Sequence, residues 1–296
     1  MKRSMMAAVS VLAVLMAIQS AAKAVDVYNS MPTPYPYNPA SLGYQATSTA
    51  EFGDYIGLAG TARSLTTVSV AMSDWAVRSD YMTEIGGVWT PKPGYEHVVM
   101  TSAGFNHDLT LNLYTVVSSG SVPVVGTTIA SKTISAFIPW RPAATQFKAD
   151  GVTLEDHWTA PNGSTYHGSQ STVTFDFTGN NVTLPDELVF GLAYNTNTYG
   201  AAPIGKSGPY ESLNFACDVP VAQVGIDVNP NAVMWNTSYA GFYTDLGVGG
   251  TSTFRQDTNW AGNVPAIQIV AVPEPATMSL LALGGIATLI RRRRRA

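Results

Sequence analysis

Apolar and polar side chains alternate strictly along several stretches in the middle of the chain. The four clearest runs have apolar residues two positions apart, at Val68, Val70 and Met72, at Leu109, Leu111 and Leu113, at Val173, Phe175 and Phe177, and at Leu188, Phe190, Leu192 and Tyr194. Because successive side chains of a strand point to opposite faces, each run predicts a half-buried strand. The pattern is less regular from Lys132 to Ile138, and a final strand is predicted at residues 266–270.

Helical periodicity is absent from residues 25–272, where no segment keeps a helical period over three turns. Half-buried strands without intervening helices bury their apolar faces by packing two sheets together. The chain is therefore predicted to be all-β, with a single large jelly-roll-like β-sandwich at residues 51–271. An extended segment is predicted at residues 25–50. Residues 139–170 and 195–212 are polar and lack alternation, which predicts long loops.

The N-terminus has the parts of a secretory signal peptide. Two basic residues precede an apolar stretch at residues 5–18, and Ala22 and Ala24 form an A-x-A cleavage site. Cleavage by signal peptidase would remove residues 1–24 and leave Val25 as the first residue. The alternative is an uncleaved anchor, which the short apolar stretch disfavours.

The C-terminus combines a Pro-Glu-Pro tripeptide, an apolar stretch and a run of arginines. Residues 276–290 are uncharged and mostly apolar, and as a helix they would extend about 22 Å at about 1.5 Å per residue. A bilayer core is about 30 Å thick, so local thinning and snorkelling arginines would cover the difference. A terminal cationic cluster resists translocation, which predicts that residues 25–272 lie outside the membrane. Pro273 and Pro275 keep the tripeptide extended beside the outer membrane face.

Val-Pro-Glu-Pro-Ala, a short apolar helix and a terminal arginine cluster together resemble the PEP-CTERM sorting signal of bacterial exported proteins. The resemblance covers residues 272–296 and implies recognition by an exosortase, a multispan membrane enzyme that cuts near the tripeptide. It makes residues 276–290 a transient transmembrane helix. It assigns recognition to Pro273, Glu274 and Pro275, and the stop-transfer charge to Arg291, Arg292, Arg293, Arg294 and Arg295. A single-span anchor that is never processed also satisfies the hydropathy pattern.

The part of the chain between the two terminal signals is acidic. Residues 25–272 contain eight basic and 19 acidic residues, a net charge of −11 against −4 for the whole chain. Nucleic acid and anionic lipid surfaces carry the same sign, so neither is a predicted partner of this part. The single cysteine, Cys217, cannot form an intramolecular disulfide and is predicted to be a buried, inert thiol.

Signatures of catalysis are weak in this sequence. The four histidines lie at least ten residues apart, at His97, His107, His157 and His167. This spacing does not match a recognised zinc motif, and no G-x-S-x-G elbow is present. Glu155 and Asp156 could serve glycoside hydrolysis, but adjacent residues of a strand face opposite sides, so a distant partner would be needed. The chain is predicted not to be an enzyme, with a secreted glycoside hydrolase as the least favoured alternative.

Two polar clusters offer the hard oxygen ligands that calcium prefers. One consists of Glu51 and Asp54, and the other of Asp227, Asn229 and Asn231. The second lacks the glycine and the terminal glutamate of an EF-hand loop. Asx residues that bond the backbone in turns are the alternative explanation. No cofactor is predicted other than this candidate structural calcium.

Trp140 and Trp158 fall within the polar stretch and could present flat indole faces to a sugar ring, although packing is an equally open alternative. Proteins with the resembling tail usually occur in bacteria that make exopolysaccharide. The leading prediction is therefore a non-enzymatic protein of the cell surface or the extracellular matrix, exported through an inner-membrane intermediate and associated with exopolysaccharide or biofilm. The alternative is a carbohydrate-binding module.

Overall fold

The computed structural model describes residues 23–119, 122–200, 204–217, 221–245 and 249–274. The strands in these ranges are β1 (Val25–Asn29), β2 (Ser41–Gly43), β3 (Thr49–Gly57), β4 (Ser64–Asp74), β5 (Met82–Ile85), β6 (Val88–Pro91), β7 (Gly104–Ser119), β8 (Val122–Pro139), β9 (Trp158–Thr159), β10 (Thr165–Tyr166), β11 (Ser169–Asp176), β12 (Glu187–Ala193), β13 (Leu213–Ala216), β14 (Ile226–Asp227), β15 (Ala232–Thr237), β16 (Arg255–Thr258) and β17 (Ile267–Val272). A four-residue helix, α1, spans Arg78–Tyr81, and short 3-10 helices span Pro209–Ser212 and Ala240–Phe242.

Most of the strands belong to two large antiparallel sheets. The first sheet has six strands in the order β1-β17-β4-β13-β2, with β11 also paired to β4. The second has seven strands in the order β16-β15-β3-β12-β7-β8, with β14 also paired to β3. Two separate hairpins, β5–β6 and β9–β10, lie outside these sheets. The connections are therefore those of an all-antiparallel protein, as expected when no helices cover the sheet faces.

The inward faces of the two sheets form one continuous hydrophobic core. The predicted apolar positions are buried in it: Val68, Val70, Met72, Leu109, Leu111, Leu113, Val173, Phe175, Phe177, Leu188, Phe190, Leu192 and Tyr194. Phe52 of the second sheet meets Phe215 of the first edge to face, with the ring centroids 6.1 Å apart. This contact crosses from one layer to the other, in a favoured aromatic geometry. The structure confirms the predicted all-β sandwich.

Strands close to the chain ends differ in detail from the sequence prediction. The final strand was predicted at residues 266–270 and forms at Ile267–Val272. Residues 25–50, predicted as an extended segment, contain β1 and β2, which both pair within the first sheet. β2 has only three residues, and in β1 a register shift buries both Val27 and Tyr28, so neither strand shows a period of two.

The polar stretch at residues 139–170 is only partly a loop. Trp158–Thr159 and Thr165–Tyr166 pair as a short hairpin, and Phe147 and Leu154 form an isolated bridge. Among the described residues, no helix has the length and apolar character needed to cross a membrane. The predicted helix at residues 276–290 and most of the predicted signal peptide lie outside the described residues.

Candidate functional site: the tail junction and the polar clusters

The chain leaves the sandwich from a central strand of the first sheet. β17 lies between β1 and β4, and its residues Ile267, Ile269 and Ala271 have no solvent exposure. Val272 still pairs with Ser64 of β4. The Pro-Glu-Pro tripeptide therefore begins at the first residue after a core strand, with no linker in between.

The residues predicted for sorting divide between described and undescribed parts of the chain. Pro273 and Glu274 are exposed. Pro275 and the five terminal arginines lie outside the described residues. At the other end, Ala24 is exposed and Ala22 lies outside the described residues. The tripeptide is thus accessible at its two described positions, as a recognition element must be.

The structure separates Glu51 from Asp54, although the sequence placed them in one calcium cluster. Both residues lie on β3. Residues three apart on β3 point to opposite faces of the sheet. Glu51 Oε1 accepts hydrogen bonds from Asn112 Nδ2 and from the Tyr114 hydroxyl, each at 2.9 Å. Burial raises the pKa of Glu51, and these two donors partly offset that effect. Glu51 is held by its neighbours in the sheet and does not join Asp54.

Asp54 instead meets the second predicted calcium cluster. β14 pairs with the end of β3, so that Asp227 lies opposite Ile56. Asp54 is fully buried, and burial together with the negative charge of Asp227 raises its pKa well above the usual range. Asn231 is exposed at its side chain, and its carbonyl oxygen accepts the Trp260 amide at 3.2 Å. The structure therefore joins Asp54 to Asp227 and leaves Asn231 at the surface.

The β9–β10 hairpin brings together histidines that the sequence spacing kept apart. Because Trp158 pairs with Tyr166, His157 and His167 occupy facing positions at the end of the hairpin. Nδ1 of His157 lies 3.3 Å from Asp156 Oδ1, and Nδ1 of His167 lies 3.8 Å from the same oxygen. The hydrogen bond from His157 lowers the pKa of Asp156.

Glu155 extends this hairpin cluster. Its Oε2 lies 4.0 Å from His157 Nδ1, and one ligand atom each from Glu155, Asp156 and His157 falls within 4.8 Å of the others. Two imidazoles and two carboxylates are ligand types that first-row transition metals accept. Strand register brings His157 and His167 together, a proximity that their spacing of ten residues along the chain does not reveal.

The other two histidines pack against Tyr210. The ring of His107 stacks on that of Tyr210 with centroids 4.5 Å apart, and its Nε2 lies 2.7 Å from the Asn195 carbonyl oxygen. Burial lowers the pKa of His107. His97 is exposed, with Nε2 3.4 Å from the Tyr210 hydroxyl. These contacts suit a packing role for His107.

The two tryptophans proposed as a sugar platform have different environments. Trp158 is buried, and its Nε1–H donates to the Gly168 carbonyl at 2.8 Å. Trp158 therefore has the packing role that the sequence left open as an alternative. Because it is buried, it does not form an exposed sugar-binding surface with Trp140. Trp140 is half-buried and stacks on Tyr81 with centroids 5.9 Å apart.

Trp140 lines a cavity of about 290 Å³. Its wall also includes Trp89, Arg78 and Arg141. The Arg78 guanidinium lies 3.8 Å above the centre of the Trp89 ring and donates to the Ser102 carbonyl at 2.7 Å. Trp89 and the two arginines were not singled out from the sequence, because they come from separate segments that only the fold joins.

Comparison with known proteins gives one match, at the end of the chain. A family model described as the PEP-CTERM protein-sorting motif matches residues 271–295. No curated protein and no solved structure matches the chain. The matched segment begins within β17 and includes the exposed Pro273 and Glu274. The chain therefore carries a PEP-CTERM protein-sorting motif at its C-terminal end, the signal for export to the cell envelope or surface and for exosortase-type sorting.

Proposed function

We propose that this protein is a non-enzymatic component of the cell surface or extracellular matrix, released from the membrane when an exosortase cuts its tail. The observation that carries the proposal is the direct connection between the sorting motif and β17. A signal peptide at residues 1–24 would start the export, and the tail would hold the chain in the membrane until it is cut.

The position of β17 limits where the tail can be cut. Ala271 is fully buried and pairs with both Val25 and Leu65. A cut before Val272 would remove part of a core strand, so productive processing falls after it. Residues 273–275 span at most about 11 Å when fully extended. Before the cut, the sandwich would therefore rest close to the outer membrane face, and the cut would release it whole.

A non-enzymatic role is supported by the packing of two groups of types that often act in catalysis, the Cys217 thiol and the His107 imidazole. The Cys217 thiol is 5% exposed. The His107 ring is held between Tyr210 and the Asn195 carbonyl. Groups fixed in this way contribute to the core and do not face a substrate.

An association with exopolysaccharide is supported by the cavity beside Trp140. Indole rings bind the apolar faces of sugars, and guanidinium groups pair with carboxylates. Arg78 and Arg141 are two of only eight basic residues between positions 25 and 272. The cavity thus suits an acidic sugar, which makes carbohydrate binding the second candidate function.

Sorting is tested by mass analysis of the exported protein from a host that has an exosortase. We expect the wild type to lack Arg291–Arg295 and the triple variant P273A/E274A/P275A to retain them. The matched control replaces the five arginines by lysines, which keeps the charge and should keep the processing. An intact tail on the wild type, or normal processing of the triple variant, contradicts the proposal.

Sugar binding is tested separately with the host's own exopolysaccharide. We expect the exported protein to co-sediment with it, and W140A to weaken this by about two- to tenfold, since one stacked aromatic ring contributes about 0.5–1.5 kcal/mol. W75A is the control, because Trp75 is 43% exposed but lies outside the cavity. Equal binding by W140A and the wild type would remove the second candidate while leaving the sorting role intact.

A further inference from the structure

Asp54 is a carboxylate in the interior of the sandwich. It lies on β3 between Phe52 and Ile56, on the face that these two core residues share. Its Oδ1 accepts the Tyr55 amide at 2.8 Å, whereas its buried Oδ2 has no hydrogen-bond partner among the described residues. Phe190 occupies the facing position on β12. A carboxylate with an unpaired oxygen in such surroundings needs a proton or a cation.

A second carboxylate reaches this place from β14. Asp227 pairs with Ile56, and the Val228 amide donates to the Tyr55 carbonyl at 3.1 Å, so the turn after β14 runs beside Asp54. Gly225, with φ of +76°, precedes β14 and allows this close approach, because a Cβ there would lie 2.6 Å from the Gly57 carbonyl oxygen.

An amide oxygen completes the group. The backbone N–H of Asn229 donates to Asp227 Oδ1 at 3.0 Å, which holds the Asp227 side chain against the backbone of the turn. Asn229 Nδ2 donates to Gln256 Oε1 at 3.1 Å, and Asn229 Oδ1 is buried with no partner among the described residues. Two buried oxygens from distant parts of the chain, Asp54 Oδ2 and Asn229 Oδ1, are thus left without donors beside a second carboxylate. Within the described ranges neither oxygen has a hydrogen-bond donor, and the Tyr28 hydroxyl is likewise buried without a partner.

We propose that Asp54, Asp227 and Asn229 bind a calcium ion. All the unpaired groups are hard oxygens, and two carboxylates balance the charge of a divalent cation. Calcium takes six to eight oxygens in flexible geometry, so backbone carbonyls and water can complete the shell, whereas zinc would favour nitrogen and sulfur. Asp227 is only half-buried, which gives the ion a route from solvent. The ion would link β3 to β14 and stabilise the sandwich independently of how the tail is sorted.

The test is calcium titration of the full chain in non-ionic detergent, after treatment with EGTA. Isothermal titration should show one ion per chain. The thermal midpoint should rise by about 5–10 °C when calcium exceeds Kd a hundredfold. An EGTA-treated protein whose midpoint does not respond to calcium would mean that Asp54 is simply protonated, and would overturn the proposal.

Variants assign the ion to this site. D227N should weaken calcium binding by more than tenfold, and D54N, which keeps the shape of the buried side chain, should abolish the calcium-dependent rise in midpoint. D156N, in the exposed hairpin cluster, is the matched control and should bind calcium as the wild type does. If D54N fails to fold, D227N decides alone. Wild-type affinity in D227N, or loss of binding in D156N, places the ion elsewhere and refutes the assignment.

Discussion

Val25 and Ala271 are register partners in the antiparallel pair of β1 and β17. The first residue predicted for the mature chain therefore lies opposite the residue at which the matched sorting motif begins. Both predicted processing points therefore lie at the same end of the first sheet. Each adjoins a segment that the sequence predicts to enter the membrane, so we expect this end of the sandwich to face the membrane during export.

Truncation after β17 should leave the fold intact, whereas truncation before β17 should abolish it. A chain of residues 25–274 should fold, whereas a chain of residues 25–266 should not. The shorter chain loses Ile267, Ile269 and Ala271, all fully buried, and leaves β1 without its partner. Domains have only about 5–15 kcal/mol of net stability, which the loss of a central strand exceeds. Circular dichroism during heating measures this, and a cooperative transition in the shorter chain would contradict the role given to β17.

Phe175→Ala should be strongly destabilising. The side chain has no solvent exposure and packs in the core from β11, so its loss removes buried surface and leaves a cavity. The expected decrease in the free energy of unfolding is about 3–5 kcal/mol. Phe147→Ala, at a position 60% exposed, should change it by no more than about 0.5 kcal/mol. Chemical denaturation of both variants checks this, and similar values for the two would argue against the described core.

The carboxyl group of Asp74 should make stability depend on pH. Burial raises its pKa well above the usual range, although the Ala76 amide and the charge of Arg141 oppose this. A carboxyl whose pKa is higher in the folded state than in the unfolded state binds its proton more tightly when folded. Its stabilising contribution is complete below about pH 4, the unfolded value, and is lost as the pH rises through the folded value.

This dependence is measured as the free energy of unfolding of the wild type minus that of D74N, in EGTA. The difference should fall as the pH rises from about 4 to 8, by at most about 1.4 kcal/mol per pH unit. Asp108→Asn, at an exposed position, serves as the control and should give a smaller change. A difference that grows with pH would show that Asp74 is ionised and well stabilised in the folded state.

Cys217 should be protected from thiol reagents in the folded protein. Its side chain is 5% exposed, and its amide donates to the Ala40 carbonyl at 2.9 Å, next to the β2–β13 pair. Reaction then requires local opening, so we expect modification at least about 100-fold slower than in concentrated guanidinium chloride. A time course with a chromogenic disulfide measures both rates. Equal rates would mean that the thiol is accessible.

Properties that depend on neighbouring residues could be predicted from the sequence. The strands at Val68, Leu109, Phe175 and Phe190 follow from a period of two, because backbone geometry alone decides which side chains share a face. The Pro-Glu-Pro tail is likewise a continuous segment whose charge and apolar length are fixed by composition. These local features were sufficient for the fold class and for the sorting signal.

The polar sites depended on the tertiary structure. Asp54 and Asp227 meet only because β14 pairs with β3, and His157 faces His167 only because of the hairpin register. The sequence grouped Asp54 with Glu51 instead, because the apolar pattern does not predict β3, the strand in which their odd spacing places the two side chains on opposite faces. The sequence alone therefore determined which alternating segments become strands and which sorting signal the chain carries. Strand pairing between distant segments decided which oxygens share a site, because it brings together residues whose separation along the chain carries no signal.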